Sequence, residues 1–490
     1  MEFICGENRD QGTFLPDRVE DYVAANNPVR VIDVYVDGLD MEQLGFEKYA
    51  PNETGRPMYA PKDLLKLYLY GYMNRVRSSR NLEIETKRNL EVIWLLKKLS
   101  PDHKTISRFR QQNPKALKNV FRDFTRFCMS IGLYGKELIA VDGSKFKAWN
   151  SKDQNFTPGK LEDRIKNINA KIDAYMTVLN EEDASDTDDT TELSEETVVE
   201  ILKKLCERRQ RYEELQQTIA EQGVRQISLT DPDSRLMKTK DGLDVCLNVQ
   251  TAVDSKNNMI ADFTVSSQVQ DKNQMGPVAR QAAEMLEVSA LTVVADAGYD
   301  SSSDIAALIH DGFTPHVAGA NYDICVPCAP EEAEEITAFG ENRCVYLPER
   351  NLFVCPLGKF LYPSSYHKRN QTARYTNRRA CRQCQHKCTD GANKTAERYC
   401  LPSEFSKECD DSPLFVRQVH VRANREIIRK RKSIIEHVFG TVKRDLGISY
   451  LLLRGREKVT GEISLAFTAF NMKRAINILG VEQMVQLLAV

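Results

Sequence analysis

Three acidic residues that lie far apart in the chain could carry out chemistry together. Asp142 follows the apolar run LIAV and Asp296 follows LTVVA, so we expect each at the end of a buried strand. Loops at strand ends often carry functional groups in α/β proteins, because the sheet fixes short side chains while the tip stays open. Each aspartate taken alone is equally typical of a turn or a helix cap.

The third residue, Glu436, lies in the basic segment RKRKSIIEHVFGTVK, residues 429–443, whose apolar residues recur at helical spacing. A helical projection gives this segment one apolar stripe for the core and, turned away from it, one carboxylate among cations. That polar row consists of Arg429, Lys432, Glu436 and Lys443. A row of surface ion pairs would also explain the pattern.

If the helix reaches the two strand ends, Asp142, Asp296 and Glu436 form a cluster whose like charges raise one another's pKa values. Divalent cations resolve this repulsion, and oxygen ligands favour Mg²⁺ or Mn²⁺ over zinc. Two such ions about 3.5–4 Å apart activate an attacking oxygen and stabilise the leaving oxygen in phosphoryl transfer. The cations at 429, 432 and 443 would then hold phosphates of the strand being cut.

These segments resemble the Asp–Asp–Glu (DDE) transposases of bacterial insertion sequences, and in particular insertion-sequence family eleven-eighty-two. The resemblance rests on AVDGSKF around Asp142, VVADAGYDS around Asp296 and RKSIIEHVFGTVK around Glu436, and it runs from about residue 50 to 475. It implies a ribonuclease H-like core that binds two Mg²⁺ or Mn²⁺ ions through these three residues. It also implies metal-dependent cleavage at transposon ends, followed by attack of the freed 3′-hydroxyl on target DNA.

The last motif departs from the wider group that this family belongs to, in which Tyr, Arg, Glu and Lys stand at fixed spacing. The Glu-to-Lys spacing is kept by Glu436 and Lys443, but Lys432 stands in place of Arg and Arg429 in place of Tyr. Two further segments, Asp231-Pro232-Asp233 and Asp271-Lys272-Asn273-Gln274, also resemble landmarks of the family, with a structural role or a place near the site.

Two other functions fit the same residues. One is a metal-dependent DNA nuclease without strand transfer, which joined DNA products would exclude. The other is an inactive DNA-binding relative, which would bind DNA but not cut it in Mg²⁺ or Mn²⁺.

The overall composition hides two charged segments. The chain has 490 residues, enough for about three globular units, with 41% hydrophobic and 28% charged residues, which excludes wholesale disorder. Its net charge is −2, yet Lys66–Arg126 contains fifteen Lys or Arg against five acids, and Glu181–Glu200 contains ten acids and no Lys or Arg. A basic helical segment suits a phosphate backbone. The helices after Pro61, the polar turn Ser100-Pro101-Asp102 and the basic helix at 103–131 together resemble a helix-turn-helix layout. A solvated helix surface is the alternative.

We expect an α/β protein with an all-α amino-terminal region. The predicted parts are a basic helical DNA-binding region at 1–132, a ribonuclease H-like core at 133–320 with a helical hairpin inserted at 158–226, a cysteine-rich insertion at 321–415, and C-terminal core helices at 416–490 that carry Glu436. Residues 29–40 could form a strand or a helix. Residues 320–413 read as turns without an obvious apolar core, and a long helix is expected from Val421.

Thirteen cysteines, several of them isolated, indicate a reducing compartment instead of a disulfide framework. Cys381, Cys384 and Cys388, together with Cys355, suit structural zinc, and reduced thiols are the alternative. Further candidates are competing ligands at Cys400, His367 and His386, and a second pair at Cys325 and Cys328.

Trp149, close to Asp142, could stack an unpaired base or simply pack in the core. The chain has no long apolar segment and does not begin like a secretory signal, so we expect a cytoplasmic, nucleoid-associated protein. The implied partners are double-stranded DNA, both terminal inverted repeats and target. A homodimer or larger assembly is expected when two transposon ends are paired.

Overall fold

The computed structural model is a mixed α/β protein. It describes residues 18–47, 58–150, 152–182, 195–240, 242–327, 344–347, 351–355, 359–369, 371–384, 393–400 and 416–489. Within these residues, no helix has both the length and the apolar character needed to cross a membrane.

The amino-terminal part is helical, as predicted. Its helices are α1 (Val29–Gly38), α2 (Pro61–Met73), α3 (Ser79–Arg88), α4 (Leu90–Leu95), α5 (His103–Gln112) and α6 (Pro114–Ser130). The segment left open between strand and helix is α1, which buries Val29, Ile32 and Val36 at helical spacing. Asp102 caps α5 by accepting from the backbone N–H groups of Lys104 and Thr105, which explains the break in the pattern there.

A six-stranded mixed sheet forms the centre of the molecule. The strands in the first part of the chain are β1 (Leu138–Lys147), β2 (Asn155–Phe156), β3 (Ile227–Ser228), β4 (Arg235–Thr239), β5 (Gly242–Asp254), β6 (Ile260–Ser266), β7 (Thr292–Ala295) and β8 (Thr314–Val317). The order is β4–β5–β1–β7–β8, with β6 beside β4 along the same edge of β5. β1 is antiparallel to β5 and parallel to β7, which is parallel to β8.

Asp142 does not end a strand, which corrects the sequence-based expectation. The parallel pairing of β1 with β7 covers Leu138–Ala140, but the antiparallel pairing with β5 continues to Lys147. Asp-Gly is a frequent turn signal, so the sequence predicts a turn after Val141. In the structure, hydrogen bonding to β5 keeps these residues in the strand. Ala140 faces Val294, so the same register places Asp142 level with Asp296.

Two long helices separate β2 from β3. They are α7 (Pro158–Glu182) and α8 (Glu195–Gln222), at the positions predicted for a helical hairpin. Their facing side chains form a small separate core that includes Phe156, Leu161 and Tyr212. α9 (Met275–Leu286) and α10 (Ser302–His310) follow β6 and β7 and pack on the central sheet.

The cysteine-rich region contains ordered β structure, and the prediction that it lacks an apolar core was wrong. β9 (Asn321–Pro327) pairs with β15 (Val416–Arg422), and β10 (Val345–Leu347), β11 (Leu352–Val354), β12 (Phe360–His367), β13 (Thr372–Thr376) and β14 (Thr395–Tyr399) form an antiparallel sheet, with the short helix α11 (Arg378–Arg382) after β13. This sheet buries Tyr346, Phe353 and Tyr375. β10 and β11 have only three residues each, and Pro363-Ser364-Ser365 within β12 is typical of a turn, so the sequence shows no clear strand pattern here.

Three helices complete the chain: α12 (Arg425–Gly440), α13 (Arg456–Leu479) and α14 (Val481–Leu488). The helix expected from Val421 begins four residues later, because Val416–Arg422 is β15 and Asn424 caps the helix. Thr441–Asp445 continues α12 as a π-helical turn. α13 is almost entirely buried, which explains its weak amphipathic pattern.

The amino-terminal helices and the central sheet share one hydrophobic core. Lys118 on α6 forms an ion pair with Asp262 of β6, and its ammonium lies 3.5 Å from the centre of the Phe263 ring. Arg77 donates to the Tyr450 carbonyl at 2.9 Å and covers the Tyr450 ring.

Some cations that made this segment look like a DNA surface are buried instead. The exposed fraction is 1% for Lys66, 6% for Arg77 and 4% for Arg110. These side chains make contacts inside the protein, such as the ion pair of Lys66 with Asp33. The basic surface of the amino-terminal helices is therefore smaller than the residue count suggested.

Candidate active site

One open cleft of about 1670 Å³ contains all three carboxylates identified in the sequence. Asp142 extends from β1, Asp296 directly follows β7, and Glu436 lies on α12. Asp142 and Asp296 are level on adjacent parallel strands, which lie about 4.8 Å apart. The sheet therefore fixes two of the three residues relative to each other.

Asp142 is mostly buried, and charged side chains of both signs lie near its carboxyl group. Burial, together with the nearby carboxylates of Asp296 and Asp271, raises the pKa of the Asp142 carboxyl to about 6, although the guanidinium of Arg431 and the N–H of Gly143 act to lower it. Nη1 of Arg431 lies 3.1 Å from Oδ2 of Asp142. The other oxygen, Oδ1, accepts from the N–H of Gly143 at 2.8 Å.

Asp296 also acts as a local cap. It precedes a short 3₁₀ turn, Ala297–Tyr299, and its Oδ1 accepts from the N–H of Gly298 at 2.8 Å. This hydrogen bond fixes the carboxylate at the edge of the sheet. The expectation that Asp296 ends a strand and forms a turn is confirmed. Asp296 also lines the cleft.

Asp271, for which no definite role could be predicted, brings a fourth carboxylate to the same cleft. Its Oδ1 accepts from the side-chain amides of Asn248 at 2.8 Å and Gln250 at 2.7 Å. A Cβ on Gly298 would lie 3.9 Å from Oδ2 of Asp271 and 3.0 Å from Oδ1 of Asp296. The second oxygen of Asp271 therefore faces Asp296 across a glycine.

A glycine is required beneath this group of acids. A Cβ on Gly143 would lie 2.6 Å from Oδ1 of Asp271 and 2.9 Å from Oδ1 of Asn248, closer than packed atoms allow. The buried Tyr299 hydroxyl donates to Gln250 and fixes its amide. Burial, together with the charges of Asp271, Asp142 and Asp296, raises the pKa of that hydroxyl well above its usual value.

Glu436 lies on the exposed face of α12, as the helical projection predicted, while Ile434, Ile435 and Val438 are buried. Its side chain lines the cleft. The residue that α12 directs at Asp142 is instead Arg431, which the projection places within the apolar stripe. Sequence reasoning missed this contact because Arg431 belongs to a run of four consecutive cations, although its position within the apolar stripe was a signal that it faces the sheet.

The three cations proposed to hold phosphate are placed differently. Lys443 lines the cleft, but its ammonium donates to the Lys145 carbonyl at 2.7 Å and lies 4.6 Å from the Phe146 ring. Burial and the nearby Lys240 lower the pKa of Lys443, and Cys246 partly offsets this. Lys432 and Arg429 are exposed on α12 and do not line the cleft.

The donor set of the cleft suits divalent cations that prefer oxygen. Four carboxylates line the cleft, and repulsion from two of them, Asp296 and Asp271, contributes to the raised pKa of Asp142. A hard cation such as Mg²⁺ or Mn²⁺ would relieve this repulsion. Within the described residues, no three His, Cys, Asp or Glu side chains are already arranged to hold a metal ion.

Only some of the predicted zinc ligands lie within the described residues. Sγ of Cys355 accepts from the N–H of Lys359 at 3.3 Å, and Sγ of Cys381 accepts from the N–H of Lys394 at 3.4 Å. Cys384 is half-buried, while Cys400 is buried in the small core of this region. Cys388, His386 and Cys328 lie outside the described residues, His367 is exposed, and the side chain of Cys325 is not described.

The structure also describes the contacts of Asp231 and Asp233 and the position of Trp149. Asp231 and Asp233 accept from the N–H groups of Gly455 at 3.2 Å and Arg456 at 2.8 Å, so they fix the start of α13. Trp149 is 51% exposed and lines the cleft, which does not fit packing in the core.

Two family models match the chain. Residues 17–112 match "Transposase domain (DUF772)", and residues 354–476 match "Transposase DDE domain". No curated protein matches. One solved structure is similar, described as the cryo-EM structure of a piggyBac transposase synaptic complex with hairpin DNA. That similarity has 7% identity over 95% of this chain and 79% of the other, with a TM-score of 0.30, too low to support an argument.

Proposed function

We propose that this chain, which carries a transposase domain at residues 17–112 and a transposase DDE domain within 354–476, cuts DNA at transposon ends and joins the freed ends to target DNA. The observation that carries the proposal is the cleft in which Asp142 and Asp296, level on adjacent strands, face the same space as Glu436 on α12. The DDE match covers Glu436 but not the two aspartates.

The topology of the central sheet supports a ribonuclease H-like core. β5 and β6 follow β1 as antiparallel neighbours, and β7 and β8 then add in parallel on its other side. In this proposal the core begins near residue 133, α7 and α8 are an insertion, and α12 returns to the sheet after the β10–β14 region.

The proposed chemistry has two steps. Water attacks a phosphorus at the transposon end, the bond from phosphorus to the 3′-oxygen breaks, and a 3′-hydroxyl and a 5′-phosphate result. The 3′-oxygen then attacks a target phosphorus and displaces the 3′-oxygen of the target strand, so that step conserves the number of phosphodiester bonds. Two divalent ions held by Asp142, Asp296 and Glu436 would activate the attacking oxygen and stabilise the leaving one.

The side chains of this chain have distinct parts in both steps. Asp142 and Asp296 provide the fixed pair of oxygen donors, and Glu436 approaches from the helix. Asn248 and Gln250 hold Asp271 beside them. The cluster of Cys355, Cys381, Cys384 and Cys388 is proposed as a structural zinc site outside the reaction.

The test is cleavage of a duplex that carries the flanking terminal repeats, with Mg²⁺ or with a chelator. Asp142→Asn, Asp296→Asn and Glu436→Gln should each abolish cutting and leave DNA retention nearly unchanged. Glu426→Gln, an exposed position in the first turn of the same helix, is the matched control and should cut normally. Cutting that persists in the three variants, or in chelator, would overturn the proposal.

A plasmid target in the same reaction separates the two alternatives. Joined products require strand transfer, whereas a nuclease would give only cut ends. An inactive relative would bind the duplex and leave it intact.

A further inference from the structure

The hairpin of β4 and β5 extends beyond the rest of the central sheet. β1 pairs with β5 only as far as Lys147 opposite Cys246, and the N–H of Ala148 reaches the Val245 carbonyl. From there on, Gly242–Asp244 pairs with β4 alone. At about 3.4 Å per residue, these residues form a two-stranded arm that projects roughly 10 Å past β1.

The arm presents lysines to the cleft that contains the carboxylates. Lys238 and Lys240 are exposed and line it, near Lys145 and Lys147. Some cations in this wall have internal partners: Lys147 lies 3.5 Å from Asp244, and Lys145 donates to the Lys238 carbonyl at 3.0 Å. Among the described residues, no carboxylate lies within ion-pair distance of Lys238 or Lys240.

The positive charges on the lysines that line this side of the cleft repel one another. Lys240 is close enough to Lys443 to contribute to the lowered pKa of that lysine. Solvated lysines at a sheet edge can serve simply to prevent pairing between sheets. Here Lys238 and Lys240 face into a cleft already lined by Lys443, and no carboxylate of the described residues lies within ion-pair distance of these two arm lysines, which favours an anionic ligand.

The geometry relates the arm to the proposed cutting site. Asp142 pairs with Thr251, nine residues along β5 from Gly242 at the tip, which is about 30 Å of strand. One turn of B-DNA spans about 34–36 Å. A duplex whose cut phosphate lies at Asp142 and that follows the cleft would therefore return the same face to the arm after close to one turn.

We propose that the β4–β5 arm binds the phosphate backbone of duplex DNA, through Lys238 and Lys240, about one helical turn from the phosphate being cut. This inference rests on the proposed function, since that function places the cut at Asp142. The arm lies outside both matched segments.

The experiment measures binding of the full chain to a labelled terminal-repeat duplex, in chelator, over a range of salt concentrations. Each lost phosphate contact reduces the slope of log K against log [salt] by about 0.9, so Lys238→Ala with Lys240→Ala should reduce it by nearly two. Lys238→Arg with Lys240→Arg should keep the slope of the unchanged protein. Lys256→Ala is the matched control, because Lys256 follows the opposite end of β5 and should leave the slope unchanged.

A second measurement locates the contact on the DNA. Neutral methylphosphonates placed one turn from the cut should weaken binding of the unchanged protein and have no further effect on the double alanine variant. A slope equal to that of Lys256→Ala, or an equal methylphosphonate effect in both proteins, would overturn the inference. Failure of the carboxylate variants to stop cutting would instead overturn the proposed function, whatever the salt slope shows.

Discussion

Nη1 of Arg431 lies 3.1 Å from Oδ2 of Asp142, so an arginine side chain provides the positive charge beside a carboxylate proposed to bind metal. Both side chains are largely buried, with exposed fractions of 12% and 22%. In the absence of other cations, this ion pair is what offsets the burial of the Asp142 charge. A divalent ion that binds Asp142 would have to share that carboxylate with the guanidinium or displace it.

Arg431→Ala is therefore expected to lower stability in the absence of metal and to increase the stabilisation that Mg²⁺ provides. In chelator it leaves Asp142 without its cation and should reduce the free energy of unfolding by about 1–3 kcal/mol. Added Mg²⁺ should raise the melting temperature of this variant more than that of the unchanged protein, because the ion no longer competes with a guanidinium. Thermal melts in chelator and in Mg²⁺ test this, with exposed Lys430→Ala as control. An equal Mg²⁺ effect in all three proteins would contradict it.

Asp271→Asn should impair cleavage without unfolding the protein. The substitution keeps the shape of the side chain but removes a charge beside Asp296 and replaces one acceptor of the Asn248 and Gln250 amides with a donor. We expect cleavage to fall at least about tenfold, in the range of a mispositioned catalytic group, while the melting temperature changes little. Single-turnover cleavage is the measurement, and Asp163→Asn on exposed α7 is the control. Normal cleavage would show that Asp271 has only a packing role.

Lys118→Ala should destabilise the junction between the amino-terminal helices and the sheet. Asp262 is 1% exposed, and the substitution removes its nearest cation while Arg122 remains 3.7 Å away. Removal of one partner of a buried pair costs about 3–5 kcal/mol. Denaturant unfolding measures the loss. Lys115→Ala, on the same helix with a side chain 87% exposed, should change stability by less than about 0.5 kcal/mol. Similar losses in both variants would argue against a specific role for the pair.

His316 should make stability depend on pH near neutrality. Burial lowers the pKa of this imidazole below its usual value, and a hydrogen bond to the Arg422 backbone opposes the shift. Because the unfolded chain takes up the proton first as pH falls below about 6.5, acid favours the unfolded state. Relative to His316→Asn, the unchanged protein should lose stability from pH 7 to pH 5 and show a constant difference above pH 7. A difference that stays constant from pH 5 to pH 8 would contradict this.

The sequence predicted β7, α12 and the first half of β1 because their apolar patterns are strong and local, but it did not predict that β1 continues through Asp142. It could not predict the contact of Arg431 with Asp142, since that depends on how α12 is rotated against the sheet. Nor could it give Asp271 a role, because its amide partners come from β5 and are set by strand register. The β10–β14 sheet was missed for another reason: β10 and β11 have three residues each, and β12 contains Pro363-Ser364-Ser365, which is typical of a turn.

The contacts of Arg75 and Arg77 have a consequence for how such proteins diversify. Arg75 donates to the Asp445 carbonyl at 2.6 Å and Arg77 to that of Tyr450, so the connection between α2 and α3 holds residues 445–450, part of which forms one wall of the cleft. Exchange of the amino-terminal half between relatives would bring an unmatched partner to this segment. Under the proposed function, new specificity for DNA ends would then be gained more readily by point substitution than by shuffling of whole segments.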